Sequence, residues 1–304
     1  MAITASYMTC RAFKQRLLHA YTEGEAHAIA MLVFQMLFSL TPTEIYAGRD
    51  EEFASDQRLP KILSRLLLHE PVQYILGQCK FCGHTFSVSP DVLIPRPETE
   101  ELVRMIIDDQ RKPLPNPSQG REQKVSPRGD IEGASILDCC TGSGCIAIAL
   151  ALATPTAEVY ALDISKSAIM VAKKNAIQLG AKINFICADI LTQDIKDTYD
   201  IIVSNPPYIT NSERAKMETN VLEYEPHIAL FVPDDDALKF YRAIGKKAFT
   251  SLTNGGRLYF EINPLFADDV QFLLQQTGFQ DIEIIKDSFG CRRFVKAIKF
   301  INDN

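Results

Sequence analysis

The sequence predicts an α/β protein, a mostly parallel seven-stranded sheet with an antiparallel last strand, preceded by a small N-terminal helical bundle. Three observations carry that expectation. After Ala134, apolar runs of strand length alternate with segments of helical period; before residue 70, apolar residues recur only at three-to-four spacing; and the last two runs flank a turn around Phe289-Gly290, which makes them an antiparallel pair.

The elements follow in order. Phe13, Leu17 and Leu18, then Ile29, Leu32, Val33, Met36 and Leu37, then Ile62, Leu63, Leu66 and Leu67 mark amphipathic helices, with Gly24, Pro42 and Pro60 as punctuation. No His, Cys or carboxylate cluster converges there, so residues 1–76 read as a packing domain. Residues 77–95 change character, and Phe81, Phe86 and Val88 with Gly83 and Pro90 suggest a linking β-hairpin. In Leu93-Ile94-Pro95-Arg96-Pro97-Glu98-Thr99-Glu100, Pro97 suits a first helical position, and the acids favour the positive end of a helix running to about residue 110. Residues 112–133, with Pro113, Pro115, Pro117 and Pro127, are expected to form a mobile insertion within a second domain spanning 96–304. That region then reads as strand 135–138, helix 144–153, strand 158–163, helix 165–179, and strands 184–187 and 199–204. Helix 236–252, strand 256–262, helix 265–277 and strands 282–286 and 294–300 complete it.

Composition narrows the function. A chain of 304 residues, 46% apolar and 23% charged, is that of a globular protein with a sizeable core. Its net charge of -6 argues against a large phosphate-tracking surface, so no direct nucleic-acid partner is expected. The apolar stretch 26–38 is only about 13 residues and carries Gln35, which suits neither a membrane span nor a signal peptide and points to the cytoplasm with no membrane partner. Eight irregularly spaced cysteines fit reduced thiols. Cys79 and Cys82 lack a second ligand pair other than Cys139-Cys140, and Gly83 stands where a haem-attachment motif needs His; no metal is expected.

The chemistry-bearing residues sit at strand ends. Ile136-Leu137-Asp138-Cys139-Cys140-Thr141-Gly142-Ser143-Gly144 is a strand, a small-residue turn and a helix start, where Gly142 and Gly144 let backbone approach a ligand. Asp163 closes the next strand, placed to accept from the hydroxyls of a ribose, and Asp189 after the third strand can reach a nucleobase amino group. Each acid alone reads as a solvated strand end or helix cap; together they describe a nucleoside pocket. The fourth strand delivers Asn205-Pro206-Pro207-Tyr208 to the same edge. The Asn205 side-chain oxygen and the Pro206 carbonyl are two fixed acceptors for a planar NH2 group, Pro207 stiffens them, and Tyr208 offers a stacking face.

This arrangement resembles the class I S-adenosylmethionine-dependent methyltransferases, whose fold is Rossmann-like, and Asn-Pro-Pro-Tyr is similar to the motif of those that methylate a conjugated nitrogen. That motif is shared by adenine, cytosine, guanine and glutamine methyltransferases, so a DNA or rRNA exocyclic amine remains an alternative substrate at this point. Glu70-Pro71-Val72-Gln73-Tyr74-Ile75-Leu76-Gly77, Ile94-Pro95-Arg96-Pro97-Glu98-Thr99-Glu100, Tyr224-Glu225-Pro226, Ala229-Leu230, Asp287 and Arg293 extend the likeness over nearly the whole chain. They resemble the PrmC/HemK family, which methylates the glutamine of the Gly-Gly-Gln motif in peptide chain release factors during translation termination. The resemblance implies S-adenosyl-L-methionine as methyl donor with no metal, class I release factors as partners, and a substrate-recognition role for the helical domain. It assigns Cys140, Thr141, Gly142, Ser143, Gly144 and Asp163 to the methionine and ribose parts of the cofactor and Asp189 with Ile190 to adenine. Asn205, Pro206, Pro207 and Tyr208 fall to the glutamine, Asn205 bordering the cofactor as well. Cys140 stands where that family usually has glycine. Arg96 has two readings, an anchor for a carboxylate or the release-factor backbone, or an internal ion-pair partner.

Overall fold

The computed structural model describes residues 7–110 and 133–300; the insertion expected at 112–133 therefore lies, except for Gly133, outside the described residues. These form two compact units, the described part of Met1–Gln78 with Met217–Tyr224, and the described part of Cys79–Lys216 with Glu225–Asn304. Among the described residues, no helix is long and apolar enough to cross a membrane.

The first unit is helical, with α1 (Cys10–Leu17), α2 (Glu23–Phe38), α3 (Pro42–Tyr46), α4 (Arg58–Leu66), α5 (Val72–Leu76) and, from much later in the chain, α9 (Thr219–Tyr224). Its helix starts are written locally. Thr22 with Glu25 and Thr41 with Glu44 form reciprocal capping boxes at α2 and α3, and Pro42 takes the first turn of α3. Phe13, Leu17, Val33, Phe34, Leu63 and Leu66 meet in one apolar core. The Tyr21 hydroxyl donates to the Leu66 carbonyl (2.7 Å) and the Tyr224 hydroxyl to the Leu68 carbonyl (2.8 Å), closing the carbonyl end of α4.

The second unit contains β1 (Gln78–Phe81), β2 (His84–Ser87), α6 (Pro97–Gln110), β3 (Ser135–Cys139), α7 (Cys145–Ala153), β4 (Glu158–Asp163), α8 (Lys166–Leu179), β5 (Ile183–Cys187), β6 (Tyr199–Ser204), β7 (Ile209–Thr210) and β8 (Phe231–Val232). After these come α10 (Lys239–Ser251), β9 (Leu252–Glu261), α11 (Ala267–Thr277), β10 (Gln280–Lys286) and β11 (Arg292–Ile298). Seven strands form one sheet in the order β10-β11-β9-β6-β3-β4-β5, with β11 antiparallel to both neighbours and the rest parallel, as the sequence predicts.

Alternating side chains divide the core between the two faces. Ile136, Ile201, Val203 and Tyr259 pack with α6, α7, α8 and the hairpin residues Phe81 and Phe86, whereas Leu137, Ile202, Leu258 and Phe260 pack with α10 and α11. Burial of each such side chain contributes about 1.5–3 kcal/mol, and the two faces together hold the strand ends in place. Because the strand order reverses between β3 and β6, a crevice opens at their carboxyl ends, where the site residues lie.

Two expectations shift. The strand expected from Gly256 starts earlier, because β9 begins at Leu252 and takes in Thr253, Asn254 and Gly255 as a bulge, its register against β6 slipping between Tyr199 and Ile201. The pair β7 and β8 has no sequence signal because each strand is too short to show a period.

Candidate active site

The loop after β3 is wound tightly by three left-handed residues, Cys140 (φ 62°), Gly142 (φ 54°) and Gly144 (φ 80°). The two glycines have different uses. A β-carbon on Gly142 would point into open space, so this is where a ligand can lie against bare backbone. One on Gly144 would come within 3.0 Å of Ala172 and of Ile148, so Gly144 admits α8 against α7. Asn175 of α8, fully buried, fixes the loop from behind: its Nδ2 donates to the carbonyls of Ser143 (2.9 Å) and Ser87 (3.0 Å), and its Oδ1 accepts from the Ser87 amide (2.7 Å).

Asp138 is entirely buried. It accepts from the Thr141 hydroxyl (2.6 Å) and from the Ala147 amide in the first turn of α7 (3.2 Å), and burial pushes its carboxyl group up to about 7. Asp163 accepts from the Gly142 amide (2.8 Å) and the Ser165 amide (2.9 Å), which locks the glycine loop to the tip of β4; burial raises this carboxyl group as well. Asp189 accepts from the Leu191 amide (2.9 Å) and the Thr192 hydroxyl (3.2 Å), and the side chain of the adjacent Ile190 is buried.

These tips surround one cavity of about 230 Å³. Cys140, Gly142, Asp163, Asp189, Ile190, Asn205 and Pro207 all line it. Thr141, Ser143 and Gly144 do not: they build the loop from behind, as do Pro206 and Tyr208 for the clamp. The wall also includes residues with no assigned role in the sequence reading, among them Val92, Leu93, Ile164, Ile228 and Phe240. Ile164 is 50% and Ile228 62% exposed, so both leave apolar surface on this wall. The Asp163 carboxylate as acceptor, bare backbone at Gly142 and apolar walls around Ile190 form a set that suits a nucleoside carrying an amino-acid chain.

Around the clamp the structure adds a buried polar network. Tyr208 donates from its hydroxyl to Glu261 Oε1 (3.1 Å), Thr99 Oγ1 donates to Glu261 Oε2 (2.7 Å), and Asn205 Nδ2 lies 3.5 Å from Thr99 Oγ1. Burial raises the Glu261 carboxyl group above its ordinary value, and burial together with the Glu261 charge raises the Tyr208 hydroxyl. The Asn263 amide donates to the Tyr208 carbonyl (3.2 Å) and to Glu213, fixing the exit of the clamp.

Arg96 pairs internally. Its Nη2 lies 2.6 Å from Glu225 Oε1, and the Ile94 amide donates to Glu225 Oε2 (3.1 Å), so one buried carboxylate clamps the Ile94-Pro95-Arg96 stretch. Of the two readings for Arg96, the ion pair is the one the geometry contains. The Cys79 thiol lies 3.4 Å from the Lys80 carbonyl and 3.8 Å from the Pro95 carbonyl, and among the described residues no group of three or more His, Cys, Asp or Glu is placed to hold a metal.

Comparison with known proteins matches the PrmC N-terminal domain family over residues 10–77 and the Methyltransferase small domain family over residues 126–224. The chain is 42% identical to a release factor glutamine methyltransferase of Bacteroides thetaiotaomicron, covering 93% of this chain and 96% of that protein. It is 40% identical to one of Flavobacterium psychrophilum, covering 94% and 96%. Among solved structures, the hMettl16 catalytic domain in complex with MAT2A 3'UTR hairpin 6 aligns with a TM-score of 0.51 at 16% identity, over 81% of this chain and 83% of that one; at that identity the likeness concerns the fold alone.

Proposed function

The chain belongs to the release factor glutamine methyltransferase family, and from that premise we propose that it transfers a methyl group from S-adenosylmethionine to the side-chain amide nitrogen of the glutamine in the Gly-Gly-Gln motif of class I peptide chain release factors. The observation that supports this reading is that Asp163 and Asn205 line one cavity, as an acid for ribose hydroxyls and an amide for the substrate amine would have to. The compartment this implies is the cytoplasm, where translation terminates.

The bound donor supplies an electrophilic methyl group on a sulfonium. Asp163, held by two backbone amides, keeps lone pairs for ribose hydroxyls; Asp189 and Ile190 form the base-facing wall; Gly142 leaves its backbone bare for the methionine part. Asn205 Oδ1 and the Pro206 carbonyl accept the two hydrogens of the glutamine amide. An amide nitrogen shares its lone pair with its carbonyl, and fixed acceptors that hold both hydrogens favour the pyramidal geometry in which that pair is available. Tyr208, its hydroxyl tied to Glu261, presents its ring beside the clamp. The amide nitrogen takes the methyl group while sulfur keeps the electron pair of the broken bond, and the nitrogen gives up one hydrogen as a proton to solvent; positioning carries the catalysis, and no covalent nucleophile is called on.

The test is transfer of labelled methyl to a purified release factor and to its Gln→Ala variant in the Gly-Gly-Gln loop. Label on the first alone is expected. Label on both, or on neither, would overturn the reading.

A further inference from the structure

Asn205 can orient an amine only if its own amide faces the right way. Its NH2 and Oδ1 ends have nearly the same shape, and a half-turn exchanges them, so the motif Asn-Pro-Pro-Tyr leaves the choice open. The neighbours close it. Glu261 ends β9, whose register sets Phe260 beside Ser204, the residue before Asn205. Its carboxylate is 1% exposed and accepts from Thr99 Oγ1 at 2.7 Å and from the Tyr208 hydroxyl at 3.1 Å. Thr99, itself 2% exposed, owns a single hydroxyl hydrogen. With that hydrogen committed to Glu261, Thr99 Oγ1 faces Asn205 as an acceptor, and Asn205 Nδ2 meets it at 3.5 Å.

We propose that Glu261, acting through Thr99, is a positioning residue that sets the polarity of the Asn205 amide, so that Oδ1 rather than NH2 is presented to the substrate nitrogen; the proposal rests on the methyl-transfer reading above. The hydrogen bonds then run one way, from Asn205 NH2 to Thr99 to the carboxylate. Glu261 and Thr99 do not line the cavity, and their side chains bond to each other, to Tyr208 and to Asn205. Arg293, paired with Asp287 at 3.1 Å, places positive charge toward Glu261 and Tyr208 and balances a carboxylate that burial would otherwise disfavour. Thr99 belongs to the stretch Ile94 to Glu100, which thereby gains a chemical role beyond the Arg96 ion pair.

A glutamine at position 261 breaks the logic: its own NH2 can donate to Thr99, which frees the Thr99 hydrogen to turn toward Asn205 and favours the flipped amide. Glu261→Gln and Thr99→Val are each expected to lower kcat about 100-fold, the scale of a misplaced catalytic group, with affinity for S-adenosylmethionine held. Thr99→Ser, which keeps the hydroxyl, retains wild-type kcat. The two losses do not add in the double variant, because they act through one amide. In labelled protein, a nuclear Overhauser contact between the Asn205 side-chain NH2 and the Thr99 methyl is expected and weakens in Glu261→Gln. Wild-type kcat in Glu261→Gln, additive losses, or an unchanged contact would each overturn the proposal. Should Glu261→Gln not fold, Thr99→Val, Thr99→Ser and the wild-type contact decide. If the wild-type protein methylates no release factor, the functional reading falls, while the spectroscopic contact still judges the polarity.

Discussion

Cys140 occupies a backbone conformation made for another residue. At φ 62° a β-carbon crowds the following carbonyl oxygen, a strain of about 1–2 kcal/mol that glycine escapes. The side chain does not close the pocket: it forms part of the cavity wall and packs against the core below. Cys140→Gly is therefore expected to be more stable than Cys140→Ala by about 1 kcal/mol, the reverse of the order at an ordinary loop position. Urea melts of the two variants measure this, and Ala equal to or above Gly would show that the loop relaxes.

Elements place these residues, and the junction of α7 with α8 shows how closely. Gly144 is the one position where a methyl group would meet both Ala172 and Ile148 at 3.0 Å while adopting φ 80°. Gly144→Ala is expected to cost about 2 kcal/mol or more, as strain and overpacking combine, and to weaken S-adenosylmethionine binding because Gly142 and Asp163 are tied to the same loop. Calorimetric melting and titration read both; an unchanged melting temperature would refute the packing role. The sheet works the same way, since the register of β9 against β6 sets Glu261 beneath Asn205. From the sequence, Glu261 is only an acid at the end of an apolar run, and its partners Thr99 and Tyr208 belong to other elements.

For the whole molecule, the informative pairs are the distant ones. Arg96 meets Glu225 across 129 residues and Thr99 meets Glu261 across 162. Tyr224 bonds within the helical unit and Glu225 within the sheet unit, so consecutive residues belong to different units. Glu225 is buried and Arg96 about a third exposed, which makes the costs of removing them unequal. Arg96→Ala strands a buried carboxylate and is expected to cost about 3 kcal/mol, whereas Glu225→Gln keeps an acceptor for the Ile94 amide and costs about 1 kcal/mol. Denaturant melts compare them. Were Arg96 a substrate anchor instead, Arg96→Ala would raise KM for the release factor and leave the melt unmoved.

Much of this was legible beforehand. The alternation of strand and helix, the glycine turn, Asp163, Asp189 and Asn205 at successive strand tips, and the proline-stiffened clamp all depend on neighbours within a few residues, and such local patterns survive in a bare sequence. The bulged start of β9, the two-residue strands and the division of labour between Gly142 and Gly144 did not show, because each depends on what packs opposite.

By itself, then, the sequence determined the order of the main strands and helices and the family, since period and motif are properties of contiguous residues. Only the tertiary structure decided that Arg96 closes on Glu225 and that Asn205, Thr99 and Glu261 form one hydrogen-bonded line. Strand register and burial bring those groups within bonding distance, and neither is a property of any short stretch of chain.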